Sequence, residues 1–307
     1  MAGGLSACGP AAPPPPRGLL LITLDTLRAD RLGVYGGSVP TPALDALARR
    51  GVWFTRARTV APLTLPSHAT LLTGLHPVQH GVRNNGSHRL DPGIETLAEI
   101  LGRRGWRTGA VVGAFILDAQ FGLAQGFEEY DGPLSAGAHG EGIEGAERIG
   151  ATVTDAALRW LSRKDGRPFF LWAHYFDPHA PYEPPEPFRS QHAGASYDGE
   201  VAYLDREVGR LIEAVAAGAG DAGSGSVFVA VAGDHGESLG EHGEATHGLF
   251  LYESVLRVPL ILAGAGVPPR GADAREASTL DLLPTLLNRI GVPAPAGLLS
   301  EYADSGI

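Results

Sequence analysis

Three stretches of this chain carry residues whose types and spacing could do chemistry together. Residues 18–24 (GLLLITL) form a short apolar run that ends on Asp25, and residues 226–232 (SVFVAVA) form another that runs into Gly233, Asp234, His235, Gly236 and Glu237. Such runs read as strands buried on both faces of a mostly parallel sheet, and an acidic residue at the carboxyl end of one lies where α/β sheets place ligands. Asp25, Asp234 and His235 make a mixed oxygen and nitrogen donor set suited to a divalent cation. The third stretch, residues 61–74, reads APLTLPSHATLLTG. Proline is tolerated in a helix's first turn and glycine at a left-handed C-terminal position, so Pro66 and Gly74 predict a helix with Thr64 just outside its N-terminus. That end presents unpaired N–H groups and a partial positive charge, which suit an oxyanion of sulfate or phosphate type. A hydroxyl held there is a candidate nucleophile. Taken singly, each feature has a plain structural reading: a helix cap for the Asp, an ordinary buried helix for the third stretch. Two strand-end carboxylates with an adjacent His, opposite a Thr at a helix N-terminus, favour the chemical one.

The elements that must position these residues alternate along the chain. Helices are expected over residues 43–50, 93–104, 151–162, 198–217 and 278–290, and further strands over 107–114, 168–173 and 258–263. The strand at 168–173 delivers His174, Asp177 and His179. Alternation of this kind argues for a layered α/β fold, a mostly parallel sheet flanked by helices. The glycine-rich residues 135–150 read as a mobile surface loop, and the proline-rich 178–187 as a rigid wall beside a site. His76, His80 and His88 flank Asn84 and Asn85 near the Thr64 helix, where capping and turn roles are expected of the histidines. Asn85 is a candidate substrate contact. His192 lies in a polar loop and reads as solvated.

At 307 residues the chain can bury a full core. A net charge of -10 argues against nucleic acid as a partner, since phosphate backbones need clustered Arg and Lys. No stretch is long and apolar enough to cross a membrane as a helix. The single cysteine, Cys8, excludes an internal disulfide and a thiolate zinc site. Its setting, Leu5-Ser6-Ala7-Cys8-Gly9, resembles a bacterial lipobox, with Pro13 to Pro16 as a stiff tether. The expectation is a lipid anchor at Cys8 and a place in the bacterial envelope or periplasm. If the match arises by chance, the cytoplasm is expected instead, because the basic and apolar segments of a signal are missing upstream.

Five collinear blocks carry a resemblance: LITLDTLRADRLGVYG (21–36), APLTLPSHATLLTGLHPVQHGV (61–82), HYFDPHAPY (174–182), GDHGESLGEHG (233–243) and LYESVLRVPLI (251–261). Together they resemble the sulfatase family of the alkaline phosphatase superfamily, over about residues 18 to 295. The resemblance implies an alkaline-phosphatase-like layered sandwich and a metal-dependent ester hydrolase. It places Asp25, Asp234 and His235 on the cation, Thr64 as nucleophile and a further metal ligand, His68 as a substrate contact, and His179 as a catalytic contact. His247 falls where a lysine usually contacts the transferred group or leaving oxygen. It also implies a smaller C-terminal subdomain, which this chain does not continue into. Residues 1–17 then read as a tail or tether, 18–295 as the catalytic domain and 296–307 as a shortened tail.

The departures from the family pattern change the expected chemistry. The Cys/Ser-x-Pro-x-Arg block, whose first residue becomes formylglycine, reads Thr64-Leu65-Pro66-Ser67-His68 here, so no formylglycine is expected. The usual Asp-Asp pair is Asp25-Thr26, which removes an oxygen ligand and moves preference from calcium or magnesium towards zinc or manganese. An unmodified Thr nucleophile resembles the phosphodiesterase branch of the superfamily, which uses two metals. A second ion would draw on Asp177, His179, His242 and His247, and one ion is the favoured reading. The expected reaction is attack of Thr64 on a sulfate, phosphate or phosphonate ester, with His247 protonating the leaving oxygen. A covalent threonyl ester that water must hydrolyse suits phosphoesters better. The expected partners are small-molecule or glycan esters. The rival readings are a truncated, non-catalytic fragment or binding module, and a transferase of phospho-headgroups in the envelope.

Overall fold

The computed structural model describes residues 15–133, 147–218, 220, 226–295 and 298. Its centre is β1 (Gly18–Leu24), every residue of which is buried. The other strands are β2 (Val52–Arg58), β3 (Arg107–Val112), β4 (Glu129–Asp131), β5 (Phe169–Tyr175), β6 (Val227–Gly233), β7 (Leu260–Gly264) and β8 (Gly271–Ser278). They form one sheet in the order β4-β3-β5-β1-β6-β7-β2-β8. β7 pairs antiparallel with both β6 and β2, and the other pairings are parallel.

Alternation of side chains along the central strands builds two cores. Leu19 and Leu21 of β1 join Phe170, Trp172, Phe228 and Ala230 on one face, where the helices Thr64–Thr73, Leu97–Gly102 and Leu282–Arg289 pack. Leu20, Ile22 and Leu24 join Phe169, Leu171 and Ala173 on the other, under the helices Pro42–Arg49, Gly150–Ser162 and Ser196–Ala216. The result is the layered sandwich that the sequence pattern requires.

β2 and the two edge strands, β4 and β8, are additions to the sequence expectation. β4 has three residues, and β8 (GADAREAS) is largely exposed and lacks an apolar run. The expected helix over 93–104 shortens to Leu97–Gly102, because Thr96 caps it and the Glu99 carboxylate accepts in return from the Thr96 N–H. The expected helix over 278–290 starts as a 3-10 turn, Thr279–Asp281, capped by Ser278. Pro178–Pro187 is irregular, as expected. The Leu5 to Cys8 segment, most of the glycine-rich loop and nearly all of the tail beyond residue 295 lie outside the described residues. Among the described residues no helix is long and apolar enough to cross a membrane.

Candidate active site

Parallel register brings three strand ends to one place. Leu24 of β1 stands beside Tyr175 of β5 and Gly233 of β6. The Asp25 N–H donates to Tyr175 O at 3.0 Å and the Asp234 N–H to Leu24 O at 3.3 Å, so the sheet ladder continues into the residues that carry the chemistry. Asp25, Asp234 and His235 offer ligand atoms that all lie within 4.8 Å of one another, and all three residues are buried.

The donor set fits a cation. Both Asp25 carboxylate oxygens and Asp234 Oδ2 are buried and have no hydrogen-bond partner, a costly arrangement unless something else meets their lone pairs. Asp234 Oδ1 is committed to the N–H groups of His235 at 2.7 Å and Thr26 at 3.3 Å, which fixes the rotamer and aims Oδ2 inwards. His235 Nδ1 donates to Gly236 O at 3.0 Å, leaving the Nε2 lone pair for a ligand. Burial, helped by the charge of His247, pulls the His235 pKa down to about 3, so the ring is neutral as a ligand must be. Burial opposes ionisation of Asp25, yet His174 and His235 hold its pKa below the usual carboxylate range. Burial and the neighbouring Asp25 charge push Asp234 well above it. Two carboxylates this close cannot both ionise comfortably without a positive partner.

Thr26, beside Asp25, adds nothing to the set. It lies at φ 51°, its hydroxyl donates to Pro178 O, and its carbonyl accepts from Tyr197 OH at 2.7 Å. The family's second aspartate position is thus turned into backbone support.

Thr64 is the first residue of its helix, one position further in than the sequence suggests, with Leu63 as the cap. Every residue of that helix is buried, and its polar side chains find partners: Ser67 Oγ donates to Asp234 O at 2.7 Å and Thr73 Oγ1 to Ala69 O at 2.6 Å. Thr64 Oγ1 lies 3.3 Å from His235 Nε2. The expected oxyanion cradle is narrower than foreseen: Pro66 has no N–H, and the Leu65 N–H already donates to Asn85 Oδ1 at 2.9 Å. Asn85 therefore holds the Thr64 helix while also lining the cleft in front of Thr64.

His68 corrects an expectation. It is fully buried, with Nδ1 2.8 Å from Thr64 O and Nε2 2.9 Å from Thr23 Oγ1, so neither ring nitrogen is turned to a substrate. Thr23 Oγ1 also accepts from Trp172 Nε1 at 2.9 Å. This chain of contacts fixes the start of the helix, and His68 positions Thr64.

His179 and His247 do gather at the site. Their ring centroids are 5.4 Å apart, and His247 lies 4.4 Å from His235. His179 donates through Nδ1 to Ala180 O at 2.7 Å and stacks on Phe176. His247 Nδ1 faces Glu237 Oε1 at 3.2 Å, and Glu237 Oε2 accepts from Tyr182 OH at 2.8 Å. Burial disfavours the imidazolium, but the Glu237 contact outweighs it and raises the His247 pKa.

The second-metal set does not assemble. Asp177 Oδ2 accepts from Gly150 N–H at 2.7 Å, capping the helix that starts there. His242 is exposed and stacks on Tyr252 at 3.8 Å between centroids. Among the described residues, Asp25, Asp234 and His235 are the one group of this kind. The loop histidines have structural roles: His80 meets Thr70 Oγ1 at 3.1 Å, and His76 caps the turn Pro77–His80. The sequence reading assigned no role to His174, whose Nε2 lies 3.4 Å from Asp25 Oδ2, or to Glu237. His174 pairs with Thr23 across β5 and β1, a register no single segment reveals.

Fold and site together define an alkaline-phosphatase-like ester hydrolase, with a carboxylate and imidazole group at the strand ends that could hold a cation and a hydroxyl beside it. The chain belongs to the sulfatase family, whose sequence pattern matches residues 17–292. Arylsulfatase A of Bos taurus is 30% identical over 346 residues, which span 94% of this chain and 67% of that protein. A solved 2-O GAG sulfatase shares the fold with a TM-score of 0.75 at 23% identity, over 94% of this chain and 73% of its own. The phosphonate monoester hydrolase of Agrobacterium radiobacter does so with a TM-score of 0.74 at 22% identity, over 92% of this chain and 79% of its own.

Proposed function

We propose that this sulfatase-family hydrolase cleaves phosphate or phosphonate esters with unmodified Thr64 as nucleophile. The observation that carries this reading is a threonine hydroxyl 3.3 Å from His235 Nε2, beside the carboxylates and at the floor of a cleft shared with His179. A cation bound by Asp25, Asp234 and His235 would supply Lewis-acid charge at the transferred group and lower the pKa of the Thr64 hydroxyl. Two carboxylates, one imidazole and no ligand from Thr26 favour zinc or manganese over calcium or magnesium.

The chain's own residues account for the remaining steps. Thr64 Oγ1, once deprotonated, attacks phosphorus in line, and the bond to the ester oxygen opposite breaks. That oxygen takes the proton of the His247 imidazolium, which Glu237 holds in place through Nδ1. Neutral His247 then receives a proton from water, whose oxygen attacks the threonyl ester and frees Thr64. His179, whose Nδ1–H is held by Ala180 O, would donate to the equatorial oxygens only through Nε2 and only when that nitrogen also carries a proton. Such a double displacement suits a phosphoester. Family membership supports a sulfate ester as the second reading, and the fold serves both classes.

The test is hydrolysis of matched aryl sulfate, phosphate monoester and phosphodiester substrates by metal-free protein reloaded with zinc, manganese or calcium. Turnover of a phosphoester with zinc or manganese, by protein whose Thr64 peptide has unmodified mass, is expected. A preference for sulfate would overturn the phosphoester reading.

A further inference from the structure

The segment that carries His247 is held unlike the rest of the site. From Leu239 to Glu253 every residue is exposed or half-buried except one, and that one is Glu244. Leu249 and Leu251 are 81% and 68% exposed, so the segment gains little from apolar packing. Its backbone is also unfavourable by itself, since Leu239 and His242 lie in the left-handed region at φ 53° and 56°. Polar contacts must hold it in place.

Glu244 uses both carboxylate oxygens to do so. Oε1 accepts from the Leu249 N–H at 2.7 Å, and Oε2 accepts from Ser238 Oγ at 3.1 Å. Ser238 follows Glu237 directly, and Leu249 stands two residues beyond His247. The carboxylate thus ties together the two stretches whose side chains meet as Glu237 Oε1 and His247 Nδ1, 3.2 Å apart. Backbone bonds reinforce the same base: the Ser238 N–H donates to Thr246 O at 2.8 Å and the Gly240 N–H to Glu244 O at 2.9 Å. Arg28 Nη1, which donates to Glu241 Oε1 at 2.8 Å, and the stacking of His242 on Tyr252 hold residues 241 and 242. The return towards His247 rests on Glu244. It ends at Gly248, close against the residue before Thr64: a Cβ there would stand 3.2 Å from Leu63 Cδ2. A buried carboxylate met by neutral donors holds by geometry, because neither partner can shift without leaving a buried oxygen unmet.

We infer that Glu244 is a positioning residue for the reaction, its two hydrogen bonds setting where the His247 imidazole stands between Glu237 and the leaving oxygen. This deepens the function proposed above and rests on its assignment of His247 as the acid.

The test reads dependence on the leaving group, which a general loss of fold does not select. The zinc-loaded full chain is assayed on phenyl and 4-nitrophenyl phosphates and on the same aryl sulfates, so the outcome does not hang on the ester class. 4-Nitrophenolate leaves with little need of a proton, and phenolate needs one. His247→Ala should lower kcat/KM by about 100-fold on the phenyl ester and about threefold or less on the nitrophenyl ester. Glu244→Ala should follow the same pattern at about tenfold on the phenyl ester, with zinc affinity within about threefold of wild type. The double variant should lose no more than His247→Ala alone. Glu244→Gln keeps an acceptor for the Leu249 N–H and gains a donor to Ser238 Oγ, so it should recover most of the loss. Hydrogen exchange over residues 239–253 should quicken about tenfold in Glu244→Ala and far less in Glu244→Gln. Ser238→Ala, which removes one bond only, should show the same selectivity at about threefold and carries the test if Glu244→Ala does not fold. Equal losses on the two esters, a full further loss in the double variant, no recovery by glutamine or unchanged exchange would each overturn the inference. Equal losses in His247→Ala itself would defeat the acid assignment and this inference with it. Selective loss in His247→Ala but not in Glu244→Ala would defeat this inference alone.

Discussion

Two groups of buried carboxylates in this protein are treated in opposite ways. Asp177, Glu200 and Glu207 are met by ordinary partners. Gly150 N–H donates to Asp177, Glu183 N–H to Glu200 at 2.6 Å, and Arg210 to Glu207 at 2.5 Å. Where partners run short, a proton makes up the difference: burial pushes Asp177 up to about 6 and Glu200, whose Oε2 has no partner, up to about 8. Asp25 and Asp234 are instead ringed by imidazoles, with three oxygens left open and converging. The first group holds helices and the proline segment in place. The second keeps lone pairs unspent in a buried setting, which is the mark of a cation site. A buried acid by itself is uninformative; what its oxygens touch decides its role.

Substitution of the proposed nucleophile, Thr64 beside the second group, is the largest expected effect. Thr64→Ala should lower kcat by on the order of 10³-fold or more, with the melting temperature near wild type, as steady-state kinetics and calorimetry would show. Retained turnover would remove Thr64 from the reaction.

The contrast between the groups is sharpest in metal affinity. Asp234→Asn should weaken zinc binding by roughly 100-fold or more by competition titration, whereas Asp177→Asn should leave it within about threefold. Equal losses would break the distinction drawn above.

Glu237→Gln tests the imidazole side of the site. It should lower kcat by about 10- to 100-fold. Because Glu237 raises the His247 pKa, and His247 is the proposed acid, kcat should fall as pH rises through that pKa. Loss of the carboxylate should therefore move this basic limb to lower pH. An unmoved limb in a slower enzyme would leave Glu237 a structural role only.

The smallest effect belongs to the first group. Glu200 has a folded-state pKa near 8, above its unfolded value, so between about pH 4.5 and pH 8 the unfolded chain releases a proton that the native state retains. Stability therefore falls as pH rises through that window and levels off above it. Glu200→Gln should flatten this slope, worth on the order of a few kcal/mol, in denaturant titrations from pH 4 to 9, without changing kcat. A slope unaltered by the substitution would assign the pH dependence elsewhere.

Much of the architecture is legible locally, because the central strands are buried on both faces and write themselves as apolar runs. β1 coincides with residues 18–24, and β6 lies one residue beyond the run at 226–232. β4 and β8 are not legible, since edge strands need no apolar pattern. Asp25, Thr64, Asp234 and His235, singled out by their positions at element ends, are brought together in the structure. His68 turns into the protein and not towards a substrate, because a motif names a residue but not the direction of its side chain, and Asp177, a candidate only for a second ion, meets the Gly150 N–H. His174 and Glu237 carry no local signal, as their partners stand 149 and 10 residues away.

By itself, then, the sequence determined where the central strands and the main helices would lie, that they would layer as an α/β sandwich, and that acidic residues and a threonine would sit at their ends. Burial pattern and cap chemistry are properties of neighbours in the chain. Only the tertiary structure decided that β1 would lie between β5 and β6, so that Asp25, Asp234 and His235 converge, and that Thr26, His68 and Asp177 would turn into the protein. It also placed Phe176 and His179 beside Thr64. Those outcomes depend on strand order and on which buried polar atom finds which partner, choices settled by contacts between residues far apart in the chain.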